Sequence, residues 1–170
     1  MAKHVVDRMV EREGRVAPCR TAELPLGMAA GEGDLEPPDN LSESDLPDGY
    51  RDLLAFRYGH AARTVLRIAG ESPELARPIV EGQPDLLAEA VIAARLEQAR
   101  SVADVLLRRT RLGLLAAPQL RDAESVRPVA EVLGAELGWS ADRVRQEEEA
   151  WVTAAEAEGI DPRKGVSSAP

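Results

Sequence analysis

The stretch LLAEAVIAARLEQARSVADVLLRRTR, residues 86–111, decides the fold of this chain. Its apolar residues recur at intervals of three and four, as on one face of an amphipathic helix: Leu87, Ala90, Val91 and Ala94. A second helical pattern follows, because Ser101-Val102-Ala103-Asp104 resembles a capping box with Asp in the place of Glu. We expect one helix from about Pro84 to Arg100 and another from Ser101 to about Gly113.

The helical pattern continues on both sides of this stretch. Further helices are predicted at about 49–57, 60–69, 122–137 and 140–158, and the last two have N-capping side chains in Asp122 or Ser125 and in Ser140. Hydrophobic residues make up 44% of the chain but aromatic residues only 3%, so Ala, Leu and Val must fill the core. Small aliphatic side chains suit close-packed helices better than sheets. The predicted fold class is all-α, a bundle of about five to seven helices over residues 49–159.

The composition divides the rest of the chain into short segments. Residues 1–27 contain an amphipathic helix up to about Glu13 and a connector, residues 28–48 form an acidic linker rich in Pro and Gly, and residues 160–170 form a flexible tail. The first helix has no N-cap, and Lys3 places positive charge at its N-terminal end, which the helix dipole disfavours. We expect such a start if the chain is a fragment of a longer polypeptide.

Charge and cysteine content exclude several classes of partner. The chain has 30 acidic and 21 basic residues and a formal net charge of −9, which disfavours binding to nucleic acid or to anionic membrane surfaces. No apolar run approaches the roughly 20 residues that a transmembrane helix needs, and no secretory signal is visible. A single cysteine, Cys19, cannot form an internal disulfide. These features predict a cytoplasmic protein.

The sequence predicts no catalytic, cofactor-binding or metal-binding residues. It has no phosphate-binding glycine loop, no dinucleotide-binding fingerprint and no metal-ligand spacing. Glu89 and Glu97 lie eight residues apart and could act as an acid–base pair, but we expect them to pair with arginines such as Arg108 or Arg109. The acidic run Glu147–Glu149 is interpreted as a solvated helix face.

The basic cluster Arg108-Arg109-Thr110-Arg111 allows two interpretations. It is either a helix end capped by cations with ion pairs to nearby acids, or an anion site or docking surface for another domain. The candidate residues for structural ion pairs or interdomain contacts are Glu89, Glu97, Asp104, Arg108, Arg109 and Arg111.

The order of several short segments resembles one enzyme family. They are Pro18-Cys19-Arg20-Thr21, Leu86-Leu87-Ala88-Glu89, Asp104-Val105-Leu106-Leu107-Arg108-Arg109-Thr110-Arg111-Leu112 and Glu136-Leu137-Gly138-Trp139. Together they resemble the C-terminal helical domain of FAD-dependent (respiratory) glycerol-3-phosphate dehydrogenases. Ile92 and Leu96 depart from the family, where an aromatic and a polar residue are frequent. The family's FAD-binding segment and catalytic residues would lie before Met1, so none maps onto this chain.

The resemblance implies a role for the parent enzyme. That enzyme would oxidise sn-glycerol 3-phosphate to dihydroxyacetone phosphate and pass electrons through FAD to a quinone. This chain would contain no FAD, would be inactive alone, and would serve as a structural partner of the FAD-binding catalytic domain of the same protein. The resemblance also allows a homodimer and a peripheral association of the parent with the inner face of the membrane.

Two other functions compete with this interpretation. One is a free-standing helical module for protein interaction, without catalytic activity. The other, least favoured, is a small enzyme that uses Glu89, Glu97 or His60.

Overall fold

The computed structural model describes residues 2–20, 22–23 and 29–163. The predicted tail beyond residue 163 and part of the connector, residues 24–27, lie outside the described residues. The described part contains seven α-helices: α1 (Ala2–Arg12), α2 (Tyr50–Tyr58), α3 (Ala62–Ala69), α4 (Leu87–Arg95), α5 (Leu112–Leu115), α6 (Ala123–Leu137) and α7 (Ala141–Ala157). Within it there is no β-strand, only an isolated bridge between Pro78 and Leu86. The predicted all-α class is confirmed.

Helix α4 is the centre of the bundle. Its residues from Leu87 to Ala94 are all buried, so the helix is enclosed on every side rather than on one face. Residues such as Leu87 and Ala90 pack with α6 and α7, whereas Ala88 and Val91 pack with α2 and α3. The alanines of α4 allow neighbouring helices to approach closely, which explains how a core with few aromatic residues is filled.

The two helices expected from residues 84–113 are shorter and more broken than the pattern predicts. Helix α4 ends at Arg95, and Gln98 has a positive φ of 58°, so the chain turns away before Arg100. After residue 103 the backbone forms a π-helical segment, Asp104–Arg109, and Arg111 has a φ of 61° that separates this segment from α5. Neither break falls at a glycine or proline, so residue type alone gave no signal for them.

The last two helices begin and end as predicted. The side chain of Asp122 accepts a hydrogen bond from the Ser125 backbone N at 2.9 Å, and Ser140 Oγ accepts one from the Arg143 backbone N at 3.2 Å. Gly138 ends α6 with a φ of 67°. These helix ends depend on the type of the capping residue itself, and therefore they can be predicted from the sequence.

The segment predicted as a linker, residues 28–48, makes defined contacts with the helices that follow it. Leu41 and Leu46 are buried with residues of α2 and α3. Asn40 Nδ2 donates a hydrogen bond to the Gly70 carbonyl at 2.6 Å. The boundary at residue 48 stays a prediction, but two leucines of the segment before it belong to the core.

Helix α1 has an apolar side without a partner among the described residues. Val5, Val6 and Met9 are exposed, and no residue of the helix is buried. No helix in the described ranges combines the length and the apolar character that crossing a membrane requires.

Candidate functional site

Glu89 lies at the centre of a buried polar cluster between α2 and α4. Its carboxylate accepts hydrogen bonds from the Leu86 backbone N at 2.9 Å and from Tyr58 Oη at 3.0 Å, and it forms an ion pair with Arg57. The expected arginine partner is present, but for Glu89 it is Arg57 rather than Arg108 or Arg109. Its partner comes from α2, 32 residues earlier in the chain, and spacing along α4 cannot reveal that.

Arg57 joins three parts of the fold through this cluster. Besides Glu89, its Nη1 donates to Asp85 Oδ1 at 2.8 Å, immediately before α4. Its Nη2 donates to the Thr110 carbonyl at 3.3 Å, at the end of the π-helical segment. One guanidinium thus holds α2, the start of α4 and the Thr110 turn in place.

The surroundings of these groups shift their proton affinities. Burial raises the pKa of Glu89, and the Arg57 guanidinium only partly opposes this. Burial alone would lower the pKa of Arg57, but the Glu89 and Asp85 carboxylates hold that pKa above its usual value. Burial, followed by the adjacent Glu89 carboxylate, raises the pKa of Tyr58. Tyr58 therefore stays a protonated donor and Arg57 stays a cation.

This cluster is arranged for structure rather than for acid–base chemistry. The Glu89 side chain has no exposed surface, and its oxygens are occupied by protein donors. Glu97 belongs to a different ion pair, with Arg109 Nε 2.9 Å from Glu97 Oε2, and His60 is exposed. The two carboxylates thus have separate partners, which argues against an acid–base pair.

The other predicted residues lie around the π-helical segment. Arg108 contacts Asp104 at 2.7 Å and Glu158 at 3.4 Å, and Arg109 also donates to the Glu97 carbonyl at 2.6 Å. Asp104 accepts a hydrogen bond from the Arg100 backbone N at 2.9 Å. Burial alone would raise the pKa of Asp104. Its hydrogen bonds with the Arg100 backbone N and Ser101, together with the charge of Arg108, outweigh this effect, so the pKa lies below its usual value.

Arg111 differs from its neighbours in the basic cluster. It is exposed, its backbone is left-handed, and it forms no ion pair with any residue in the described ranges. The preceding Thr110 is buried, and its Oγ1 donates to the Val105 carbonyl at 3.0 Å. Thr110 thereby closes the π-helical segment, a role that the sequence analysis did not assign to it.

The acidic run on α7 is not the solvated face expected from the sequence. Glu147 and Glu148 are buried, and only Glu149 is exposed. Glu147 Oε2 accepts a hydrogen bond from the buried Val102 backbone N at 3.0 Å. Glu147, which belongs to α7, thus caps the helical segment that begins at Val102. The capped amide lies 45 residues away in the chain, and therefore the sequence around Glu147 gave no sign of this role.

The described residues do not fit a metal site. They contain no group of three or more His, Cys, Asp or Glu side chains placed to hold a metal ion.

The fold and this paired cluster define an all-α helical domain. Residues 19–144 match the family described as the C-terminal domain of alpha-glycerophosphate oxidase, and the chain belongs to this family. The match confirms the resemblance inferred from the collinear segments. A free-standing interaction module is not favoured.

Curated relatives agree with this assignment. Glycerol-3-phosphate dehydrogenase 1 of Mycobacterium tuberculosis (strain ATCC 25618 / H37Rv) is 38% identical over 134 residues, which cover 77% of this chain and 23% of the relative. Glycerol-3-phosphate dehydrogenase 2 of the same strain is 37% identical over 105 residues, or 62% of this chain and 18% of the relative. A probable mitochondrial glycerol-3-phosphate dehydrogenase of Dictyostelium discoideum is 32% identical over 108 residues, or 63% and 16%. The chain thus spans about a fifth of the length of these relatives. No solved structure matches.

Proposed function

We propose that this chain is the structural C-terminal part of an FAD-dependent enzyme that oxidises sn-glycerol 3-phosphate to dihydroxyacetone phosphate. The observation that carries the proposal is the family match over residues 19–144, together with dehydrogenase relatives about five times as long as the matched region. The preceding part of such an enzyme would bind FAD and carry the reacting groups. Electrons would leave the flavin for a quinone, with the parent in the cytoplasm at the inner face of the membrane.

In this proposal, the residues of the chain act by fixing a rigid shape. Arg57 and Glu89 hold α2 against α4. The Asp104–Arg108 ion pair lies within the π-helical segment, and the Glu97–Arg109 ion pair joins the end of that segment to the turn after α4. Asp104, Arg108, Glu97 and Arg109 therefore act as internal ion pairs rather than as interdomain contacts. Arg111, which has no such pair in the described part of the chain, is the member of the cluster that is free for an interdomain contact.

A chimera tests the proposal directly. The region of M. tuberculosis glycerol-3-phosphate dehydrogenase 1 that matches this chain would be replaced by the corresponding part of the 170-residue chain. We expect the chimera to retain flavin absorbance and to reduce a dye in the presence of glycerol 3-phosphate. We expect neither flavin nor turnover from the 170-residue chain alone.

Two results would contradict the proposal. Flavin binding or turnover by the chain alone would mean that it carries chemistry of its own. A chimera without flavin, prepared beside an active parental dehydrogenase, would mean that the chain cannot serve as the C-terminal part. Because the family description names an oxidase, peroxide formation would be compared with quinone reduction in the same assay to identify the electron acceptor.

A further inference from the structure

Helix α5 is a single turn that is fixed to the core on one side. Leu112 is fully buried, and Gly113 lies so close to its neighbours that a Cβ there would be 2.7 Å from both Leu107 Cδ2 and Trp151 Cη2. Only glycine fits this contact without a shift of the surrounding side chains. The short helix is therefore held at a defined position and cannot turn its other side inward.

Two large apolar side chains of α5 are exposed to solvent, next to the exposed Arg111 that immediately precedes the helix. The Leu114 and Leu115 backbone N atoms both donate to the Arg111 carbonyl, at 2.9 and 3.0 Å, so the three residues lie within one turn. Leu114 is 65% exposed and Leu115 is 67% exposed. We call Arg111, Leu114 and Leu115 the Arg111 face.

The backbone that supports this face is unusual. Arg111 adopts the left-handed conformation, with φ 61° and ψ 15°, which residues other than glycine rarely do. Thr110 stabilises the turn on its N-terminal side, where Thr110 Oγ1 also accepts from the Leu112 backbone N at 3.4 Å. Such backbone outliers are concentrated at functional surfaces, where the surrounding structure maintains them.

We propose that the Arg111 face docks against the preceding, FAD-binding part of the parent enzyme. A carboxylate of that part would meet the Arg111 guanidinium, and an apolar surface would cover Leu114 and Leu115. This inference rests on the proposed function, because the partner is the remainder of a polypeptide of which the matched region forms about a fifth.

The size and charge of the face favour this occupant over a second copy of the chain. A stable interface between separate proteins buries about 1,200–2,000 Å² in total, more than three side chains supply. A covalently joined domain needs less, because the tether keeps it at a high effective concentration. Two copies of a chain with a net charge of −9 would also repel each other.

The test measures how accessible the face is when the preceding part is present. Cysteine would be placed at the apolar position of the face, as Leu115→Cys with Cys19→Ser, in the chimera and in the 170-residue chain. A matched control would carry Leu96→Cys, since Leu96 is 68% exposed on another segment. The rate of maleimide labelling at each cysteine would be read by peptide mass spectrometry.

We expect labelling at position 115 to be slower in the chimera than in the chain alone by about tenfold or more, with no such difference at position 96. Adding Arg111→Gln should remove most of this protection in the chimera and leave labelling of the chain alone unchanged. Arg111→Lys, which keeps the charge, should retain part of the protection.

The outcomes separate this inference from the proposed function. An active, flavin-containing chimera in which position 115 labels freely, or in which both positions are protected alike, would overturn the docking of this face and leave the proposed function standing. A chimera without flavin or turnover would overturn both. Dimerisation of the 170-residue chain that Arg111→Gln abolishes would assign the face to a second copy and overturn the inference.

Discussion

At the scale of single residues, the structure depends on a few charged side chains that are buried and paired. Glu89 is enclosed between Arg57, Tyr58 and the start of its own helix. Removing one member of a buried ion pair costs more than the pair contributes, because the remaining charge stays in a poorly solvated place. Single substitutions in this cluster should therefore affect the whole domain.

Glu89→Ala should lower the free energy of unfolding by about 3–5 kcal/mol, since it leaves the Arg57 charge with one carboxylate, Asp85, and leaves the Tyr58 hydroxyl without its acceptor. Glu89→Gln keeps the shape and an acceptor oxygen, so it should cost less. Urea unfolding followed by circular dichroism measures both. Glu124→Gln, an exposed change in α6, should shift the free energy by no more than about 0.5 kcal/mol. Equal stability of Glu89→Ala and the unmodified chain would show that the cluster does not stabilise the fold.

Asp104 makes stability depend on pH in a defined direction. Its pKa is lower in the folded state than in an unfolded chain, so its contribution is complete above the unfolded value of about 3.9 and is lost as pH falls through the folded pKa. Asp104→Asn should lower the free energy of unfolding by about 1 kcal/mol at neutral pH, and this difference should fade below about pH 4. Urea titrations from pH 7 to pH 3 measure it, with Glu131→Gln as an exposed control. A difference that grows toward low pH would contradict the assigned direction.

At the scale of elements, the sequence could predict the helix ends that local residues determine, but not those that long-range contacts determine. Asp122 and Gly138 fix the two ends of α6, and Ser140 fixes the start of α7, through their own side chains or backbone freedom. Ser140 and Gly138 were predicted in these roles, and Asp122 was one of two residues predicted to start α6. The end of α4 and the break at Arg111 depend on packing, because neither Gln98 nor Arg111 is a typical left-handed residue. Helix ends that tertiary contacts decide leave no local pattern to find.

The same distinction holds for the ion pairs and hydrogen bonds of the candidate site: local contacts can be predicted from the sequence, and long-range contacts cannot. Asp104 and Arg108 are four residues apart on one helical turn, so their pairing can be expected from the sequence. Arg57 and Glu89 meet only because α2 lies against α4, and Glu147 reaches Val102 from another helix. The family resemblance was found despite this, since it depended on the order of several segments and not on knowledge of their contacts.

Gly113→Ala should disturb the placement of α5. The added methyl group would lie 2.7 Å from side-chain atoms of Leu107 and Trp151, and Trp151 is fixed in turn by its Nε1 hydrogen bond to the Leu120 carbonyl at 2.6 Å. We expect a loss of about 1–3 kcal/mol from overpacking, measured as a lower urea midpoint. Gly33→Ala, where a Cβ meets nothing within 4 Å, should change stability by no more than about 0.5 kcal/mol. Equal behaviour of the two variants would contradict the close packing around α5.

At the scale of the whole molecule, the described residues form one shared core, and helix α1 lies outside it. The two groups of buried side chains meet along α4, so the bundle should unfold as one cooperative unit. The segment with Leu41 and Leu46 should unfold with it, because both leucines lie in the same buried group as Leu54. Helix α1 contributes no buried residue to either group.

Hydrogen exchange should separate α1 from the bundle. An isolated helix of 11 residues is marginal in water, so we expect α1 amides in the 170-residue chain to exchange within about tenfold of the rate of an unstructured peptide. Amides of α4 should exchange only through global unfolding, with a free energy equal to that from urea titration. Mass spectrometry of peptic peptides measures both. In the chimera, α1 should become protected if its exposed Val5, Val6 and Met9 pack against the preceding part of the enzyme. Strong protection of α1 in the chain alone would contradict this picture, because it would mean that the helix is stable without that partner.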